Sequence, residues 1–214
     1  MRAKPANQGR SREKRDRILA AMDRLLRQKA FSEIGVAELA AEAGVSAATI
    51  YQRFSNRDAT ASVLLELYFQ RVEEWAHRPR PDRLSPDAPL RDALRAIARD
   101  GLRQVAELGH IMRPAYLYSR QRPDLVGAEW ARLERIALEG FRDFLARRAG
   151  EIRVRDLDEA AGVLAWFYNL MLLGPLLHPD SPWPPLTDPE RFASVVAEMA
   201  DRYLGGGEER EAAT

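Results

Sequence analysis

The sequence predicts an all-α protein: a small three-helix head followed by a larger helical body, about nine helices in total over 214 residues. Apolar residues recur every three or four positions along most of the chain, the spacing of one helix face. No stretch alternates with period two, as a half-buried strand would. Clusters of Pro at 79–89 and 179–185 interrupt the pattern and read as connections between helices.

Composition narrows the class. Apolar residues make up 46%, enough for a real core. The absence of Cys excludes disulfides and thiolate metal sites and fits a reducing, cytoplasmic setting. The basic start is followed by no apolar run, so no signal peptide is expected there. The net charge of +1 hides an asymmetry: residues 1–58 carry twelve Lys or Arg against seven Asp or Glu, and the rest carries 21 against 25. A basic amino-terminal part on a mildly acidic body points to a polyanionic partner at one end.

Residues 1–11 are polar and aperiodic, and they read as a flexible basic arm, either solvated or touching phosphate or a minor groove. A first helix is expected from about Arg12 to Lys29, with Ile18, Met22, Leu25 and Leu26 on one stripe. Phe31 and Ile34 turn inward after it. Gly35 opens the second helix as its N-cap, and the charge of Glu38 suits that end. Val36, Leu39, Ala40 and Ala43 face the core. Gly44 ends the helix in the left-handed conformation that Gly takes cheaply. Ser46 caps a third short helix, on which Val45 and Ile50 point inward and Ala47-Ala48 leave room for close approach. Thr49, Tyr51, Gln52 and Arg53 offer a dense set of donors there. Helix, tight turn and second helix form the shape that places one helix in a major groove. Phe54 closes the core, and Asn56 caps a fourth helix with Arg57 and Asp58 in its first turn.

These spaced residues resemble a known family. Arg17-Ile18-Leu19 and Ala21, Phe31, then Val36, Glu38-Leu39-Ala40, Ala43-Gly44-Val45-Ser46, Thr49-Ile50-Tyr51, Phe54 and Arg57-Asp58-Ala59 are similar to the N-terminal domain of the tetracycline-repressor (TetR) regulators. The resemblance spans about residues 12–72. It implies an all-helical homodimer whose third helix enters the major groove of operator DNA, over a divergent ligand-binding body. By position it assigns DNA contacts to Gly35, Ser46, Ala47, Thr49, Tyr51, Gln52 and Arg53, with Arg57 on the phosphate backbone. The chain departs from the family pattern at Ala30, Ile34-Gly35, Ala48 and Gln52-Arg53, so the operator sequence is not transferable.

The fourth helix continues through Val63, Leu64, Leu67, Tyr68, Val72 and Trp75. After the linker, one helix is expected over Leu90–Leu108, a short segment over His110–Arg120 interrupted by Pro114, and a long helix from Pro123 to about Arg148. Asp156 opens the next. Residues 160–177 are nearly all apolar and long enough for a membrane span, yet Gly162, Asn169, Gly174 and Pro175 favour burial in protein. Thr187 caps the last helix, with Phe192, Val195, Val196, Met199 and Tyr203 as its stripe. Residues 205–214 form a charged, disordered tail. The organisation expected is thus arm 1–11, head 12–58, body 59–204 and tail.

For the body, His110, Tyr116, Tyr118, Trp130, Trp166, Tyr168 and Asn169 are the candidate lining of a pocket for a bulky, mainly apolar or aromatic effector. Each aromatic has ordinary packing as its competing explanation. His110 and Asn169 carry more weight, because a polar group within an apolar run must be hydrogen-bonded to protein or ligand. No His pair or carboxylate cluster has metal-ligand spacing, and no cofactor motif is present. The function expected is a dimeric DNA-binding regulator, most simply a repressor that a small effector releases from a palindromic operator. Pairing of the helices at about 157–177 and 189–204 would make the dimer. An activator or an effector-independent DNA binder is the alternative within that class. An all-helical enzyme using His110, and a helical interaction module, are the alternatives outside it.

Overall fold

The structure, a computed structural model, describes residues 5–54, 58–78, 88–182 and 188–205. Every regular element among them is helical: α1 (Pro5–Leu26), α2 (Val36–Ala43), α3 (Ala47–Arg53), α4 (Ala59–His77), α5 (Leu90–Gln121), α6 (Gly127–Ala146), α7 (Leu157–Leu177) and α8 (Pro189–Leu204), with three single-turn 3-10 segments. The count among the described residues is therefore eight α-helices against the nine expected.

Several boundaries differ from the sequence reading. α1 begins at Pro5, inside the stretch expected to be a flexible arm; Pro at a first helical position loses no hydrogen bond and fixes a helical φ. α5 runs unbroken through Pro114 to Gln121 instead of ending near Leu108. Its stripe explains this, because Leu108, Ile111 and Ala115 are all buried on one face. That burial, with polar contacts described below, offsets the roughly 3 kcal/mol that an interior Pro costs. Asp188, not Thr187, caps α8, accepting from the backbone N–H of Glu190 and Arg191 at 3.0 and 3.1 Å. Asn56, Arg57 and Thr187 lie outside the described residues.

The chain divides into two compact units: Met1–Arg78 with His110–Val126, and Pro79–Gly109 with Gly127–Thr214. The head thus includes α4 and the last twelve residues of α5, a larger set than the 12–58 expected. Within it, α1 packs on α2 and α4, and α2 packs on α3 and α4. In the body unit, Leu94, Ala98, Leu145, Leu164, Tyr168, Phe192, Val196 and Leu204 form one buried cluster. Ala160, Ala161, Ala193, Ala197 and Ala200 are buried there too, and such short side chains allow close helix approach. At Gly101 of α5 a Cβ would stand 2.8 Å from Leu172 Cδ1 of α7, so any larger residue at this crossing must push the Leu172 side chain aside. Arg148, also enclosed, is satisfied by Ala88 O at 2.6 Å and Glu151 Oε1 at 2.8 Å, and Glu151 Oε2 accepts from Leu90 N at the start of α5.

α7 is not buried on every side, as a fully apolar core helix would be. Ala160, Ala161, Leu164 and Tyr168 face the core, while Val163, Trp166 and Leu170 are exposed. It is the one helix among the described residues long and apolar enough to cross a membrane.

Candidate nucleic-acid interface

The candidate surface stands on the small core of the head. Ile18, Met22, Leu39, Ile50, Leu64 and Leu67 are completely enclosed. Ion pairs between Lys29 and Glu38 and between Arg24 and Glu42, each at 2.5 Å, tie α2 to the α1 side of the head. Both are partly solvated, so each contributes well under about 1 kcal/mol and serves mainly to orient α2.

The turn between α2 and α3 is set by two residues. Gly44 has φ 62°, the left-handed region, and its N–H and that of Val45 donate to Ala41 O and Ala40 O at 3.1 and 3.0 Å. A side chain at that φ costs about 1–2 kcal/mol. Ser46 follows as the cap of α3: its Oγ accepts from Thr49 N at 3.2 Å and lies 3.0 Å from Thr49 Oγ1. The Thr49 hydroxyl, expected as a DNA donor, is thereby also part of the cap.

α3 has only seven residues, too few to be helical alone. Ile50, with 0% exposure, and buried Phe54 hold it down. The residue beside Ile50 points the other way: Tyr51 is 54% exposed, the largest apolar exposure in the head. Ser46, Ala48 and Gln52 are exposed with it, Ala47, Thr49 and Arg53 are half-buried, and Gly35 is exposed at the N-cap of α2. Arg53 donates from Nη2 to Ser11 Oγ of α1. Arg57 falls outside the described residues. The surface is thus a short, capped helix presenting a phenol, an amide and a guanidinium from a rigid base, suited to insertion into a polar groove.

The seven residues expected to line an effector pocket divide between the units. His110, Tyr116 and Tyr118 lie on the part of α5 that belongs to the head. His110 Nε2 lies 2.8 Å from Asp23 Oδ1, and Arg71 donates to Asp23 Oδ2 at 3.0 Å. Partial burial pushes the Asp23 pKa up, but the hydrogen bonds from His110 and Arg71 and the charge of Arg27 outweigh it and hold the carboxyl below its ordinary value. Tyr118 Oη donates to Asp58 Oδ2 at 2.5 Å, and its ring meets Phe31 edge-on. Burial first, then Asp58, push the Tyr118 hydroxyl up to about 12. The Tyr116 ring lies under the Arg120 guanidinium. The remaining four belong to the body unit. Tyr168 is buried between Phe141 and Phe167 and donates to Leu94 O at 2.9 Å. Trp130 is half-buried on α6, and Trp166 and Asn169 are exposed on the outer side of α7. Sequence reasoning missed Ser11, Asp23 and Asp58 as partners. Asp23 had a signal, an acidic residue beside the apolar stripe of α1.

Comparison with known proteins agrees with this architecture. Residues 18–60 match the family described as bacterial regulatory proteins, tetR family. No curated protein matches the chain in sequence. Solved structures share the fold: a transcriptional regulator from Rhodococcus sp. RHA1 superposes with a TM-score of 0.65 at 15% identity, covering 88% of this chain and 96% of that one. FadR from Bacillus subtilis, solved in complex with stearoyl-CoA, gives 0.62 at 17% identity, covering 89% and 97%. NalD, the secondary repressor of the MexAB-OprM multidrug efflux pump in Pseudomonas aeruginosa, gives 0.58 at 18% identity, covering 91% and 96%.

Proposed function

We propose that this chain, which carries the DNA-binding head of the TetR family of bacterial regulators, is a dimeric, sequence-specific repressor released from a palindromic operator by a small, mainly apolar effector. The observation that carries the reading is the division of labour on α3: Ile50 is locked in the core while Tyr51 and Gln52 stand free beside a capped N-terminus. The exposed Ser46, Ala48, Tyr51 and Gln52 together give α3 an outward face of donors and a phenol ring beside its capped N-terminus, the kind of surface that reads base edges.

Two copies are supported by the body. Val163, Trp166 and Leu170 of α7, with Val195, Met199 and Tyr203 of α8, are exposed large apolar residues on two helices of one unit. Paired with their two-fold mates they would make a four-helix bundle. Such a dimer would present two α3 helices about 34–36 Å apart, one turn of DNA. An apolar effector is favoured by the neighbour FadR, which was solved with stearoyl-CoA, and by the half-buried Trp130 in the body unit. Release requires only that the effector bind the DNA-free state more tightly than the bound one. A regulator of this kind works where the DNA is, in the cytoplasm, without enzymatic turnover.

The test is selection of bound sequences from a random DNA pool by the purified protein, then displacement by acyl and aromatic compounds. Recovery of an inverted repeat whose binding an apolar compound weakens supports the reading. Recovery of no motif removes the DNA-reading role, and a motif that no compound affects removes the effector.

A further inference from the structure

The exposed stripes of α7 and α8 each carry one charge that nothing in the subunit uses. On α8, Arg191, Val195, Met199 and Tyr203 follow one another every four residues and are all exposed, so they form one ridge. On α7, Glu159, Val163, Trp166 and Leu170 recur every three or four residues and are exposed likewise. The Glu159 carboxylate and the Arg191 guanidinium have no partner among the described residues. Charges close to them in sequence do: Glu190 pairs with Arg99, Glu198 with Arg91 and Arg202, and Asp158 with Arg142.

The two unused charges stand at opposite ends of this face. Arg153, just before α7, donates its backbone N–H to Leu204 O at 2.9 Å, so α7 starts where α8 ends. Burial first, and then the charges of Glu159 and Asp156, push the Tyr203 hydroxyl up, which puts Glu159 beside the last residue of the α8 ridge. Arg191 is the first residue of that ridge, about 18 Å from Tyr203 along the helix. Within one subunit the two charges therefore do not meet. A two-fold axis offers two directions for α8 on its mate. In the parallel one, Arg191 faces the partner's Arg191 and Glu159 faces the partner's Glu159. In the antiparallel one, each cation faces an anion, and the contact is self-complementary as an isologous interface requires. Like charges brought together at an interface weaken it, so the pattern favours the antiparallel direction.

We infer that Arg191 of each subunit pairs with the partner's Glu159, so that two symmetry-related ion pairs at the ends of the apolar face set the register of α8 on its mate and select a second copy of this chain as partner. This rests on the dimer reading above. The apolar ridge residues supply area, and the charges at its rim supply specificity more than affinity.

The experiment is charge reversal in the full-length chain, read as the dimer dissociation constant by analytical ultracentrifugation. A Glu159→Lys homodimer brings two cations together at each end, and an Arg191→Glu homodimer brings two carboxylates together. Each variant alone therefore dimerises at least about tenfold more weakly than the wild type. An equimolar mixture of the two recovers wild-type affinity, because each heterodimer keeps one native pair and one reversed pair. Mixing does not rescue a misfolded chain, so recovery also establishes that both variants are folded. Single variants that dimerise like the wild type, or a mixture as weak as its components, overturn the pairing while the dimer reading stands. A wild-type chain that stays monomeric at every concentration overturns both.

Discussion

Substitutions at two adjacent residues of α3 test its anchoring and its proposed reading role separately. Ile50 is fully enclosed, so Ile50→Ala removes its branched side chain from a packed core and leaves a cavity, costing about 2–5 kcal/mol. For a unit of this size that lowers the melting midpoint by roughly 4–8 °C per kcal/mol. Tyr51 is 54% exposed, so Tyr51→Ala changes stability by about 1 kcal/mol or less. Its effect falls on DNA. A groove contact contributes about 1–3 kcal/mol, and two heads double it, so operator affinity drops at least roughly 30-fold. Thermal melting and operator titration at one fixed salt concentration read the two effects side by side. A Tyr51→Ala protein that binds operator like the wild type removes Tyr51 from the interface. An Ile50→Ala protein with an unchanged midpoint shows that α3 is not anchored as described.

Other expectations follow from particular contacts. Trp166→Glu with Met199→Glu places charge on the exposed faces of α7 and α8 and yields a monomer by analytical ultracentrifugation, with the melting behaviour of the head preserved. Tyr118 has its folded-state pKa raised to about 12, above the ordinary value near 10. Its contribution to stability is therefore complete below about pH 10 and lost as pH rises toward 12; urea titrations at pH 9 and 11 show a smaller loss in Tyr118→Phe than in the wild type. Gly101→Ala puts a Cβ against Leu172 and costs about 1–3 kcal/mol, whereas Gly140→Ala, with nothing within 4 Å, stabilises α6 by about 0.5–1 kcal/mol. Chemical denaturation distinguishes the two signs.

The head was legible in sequence because its signals are local. Gly44 and Ser46 specify a turn and a cap within three residues, and Ile50 and Phe54 specify the buried side of α3. The body was less legible because its decisive terms are non-local. Pro114 reads as a helix breaker over a short window, yet the stripe Leu108, Ile111, Ala115 crosses it without interruption. The partners that hold this part of α5 in the head, Asp23 and Asp58, are 87 and 60 residues away from His110 and Tyr118. The same distance hid the role of His110: its polarity announced a hydrogen bond, and only the fold shows that Asp23 is its partner. Asp188 displaced Thr187 as a cap within the uncertainty of one residue that two adjacent capping side chains allow.

The apolar helix α7 shows how burial on one side decides what the other side is for. By length and composition it could cross a bilayer. Its inner face is committed to the body: Leu164 lies in the core, and the Tyr168 hydroxyl donates to Leu94 O. Lipid on the outer face alone would leave α8 unexplained, since Val195, Met199 and Tyr203 carry a matching exposed stripe. Six of the eight large apolar residues exposed in the described chain stand on these two helices, and a seventh is Tyr51. Such clustering marks surfaces that partners cover. If a second copy covers α7 and α8, the two α3 helices bind one operator as a linked pair, and the second head binds at a high effective concentration. Operator affinity then depends on residues that never touch DNA. Trp166→Glu, which leaves α3 intact, lowers operator affinity at nanomolar protein and regains part of it as protein concentration rises. A concentration-independent affinity equal to that of the wild type refutes the coupling between the apolar face and the reading helix.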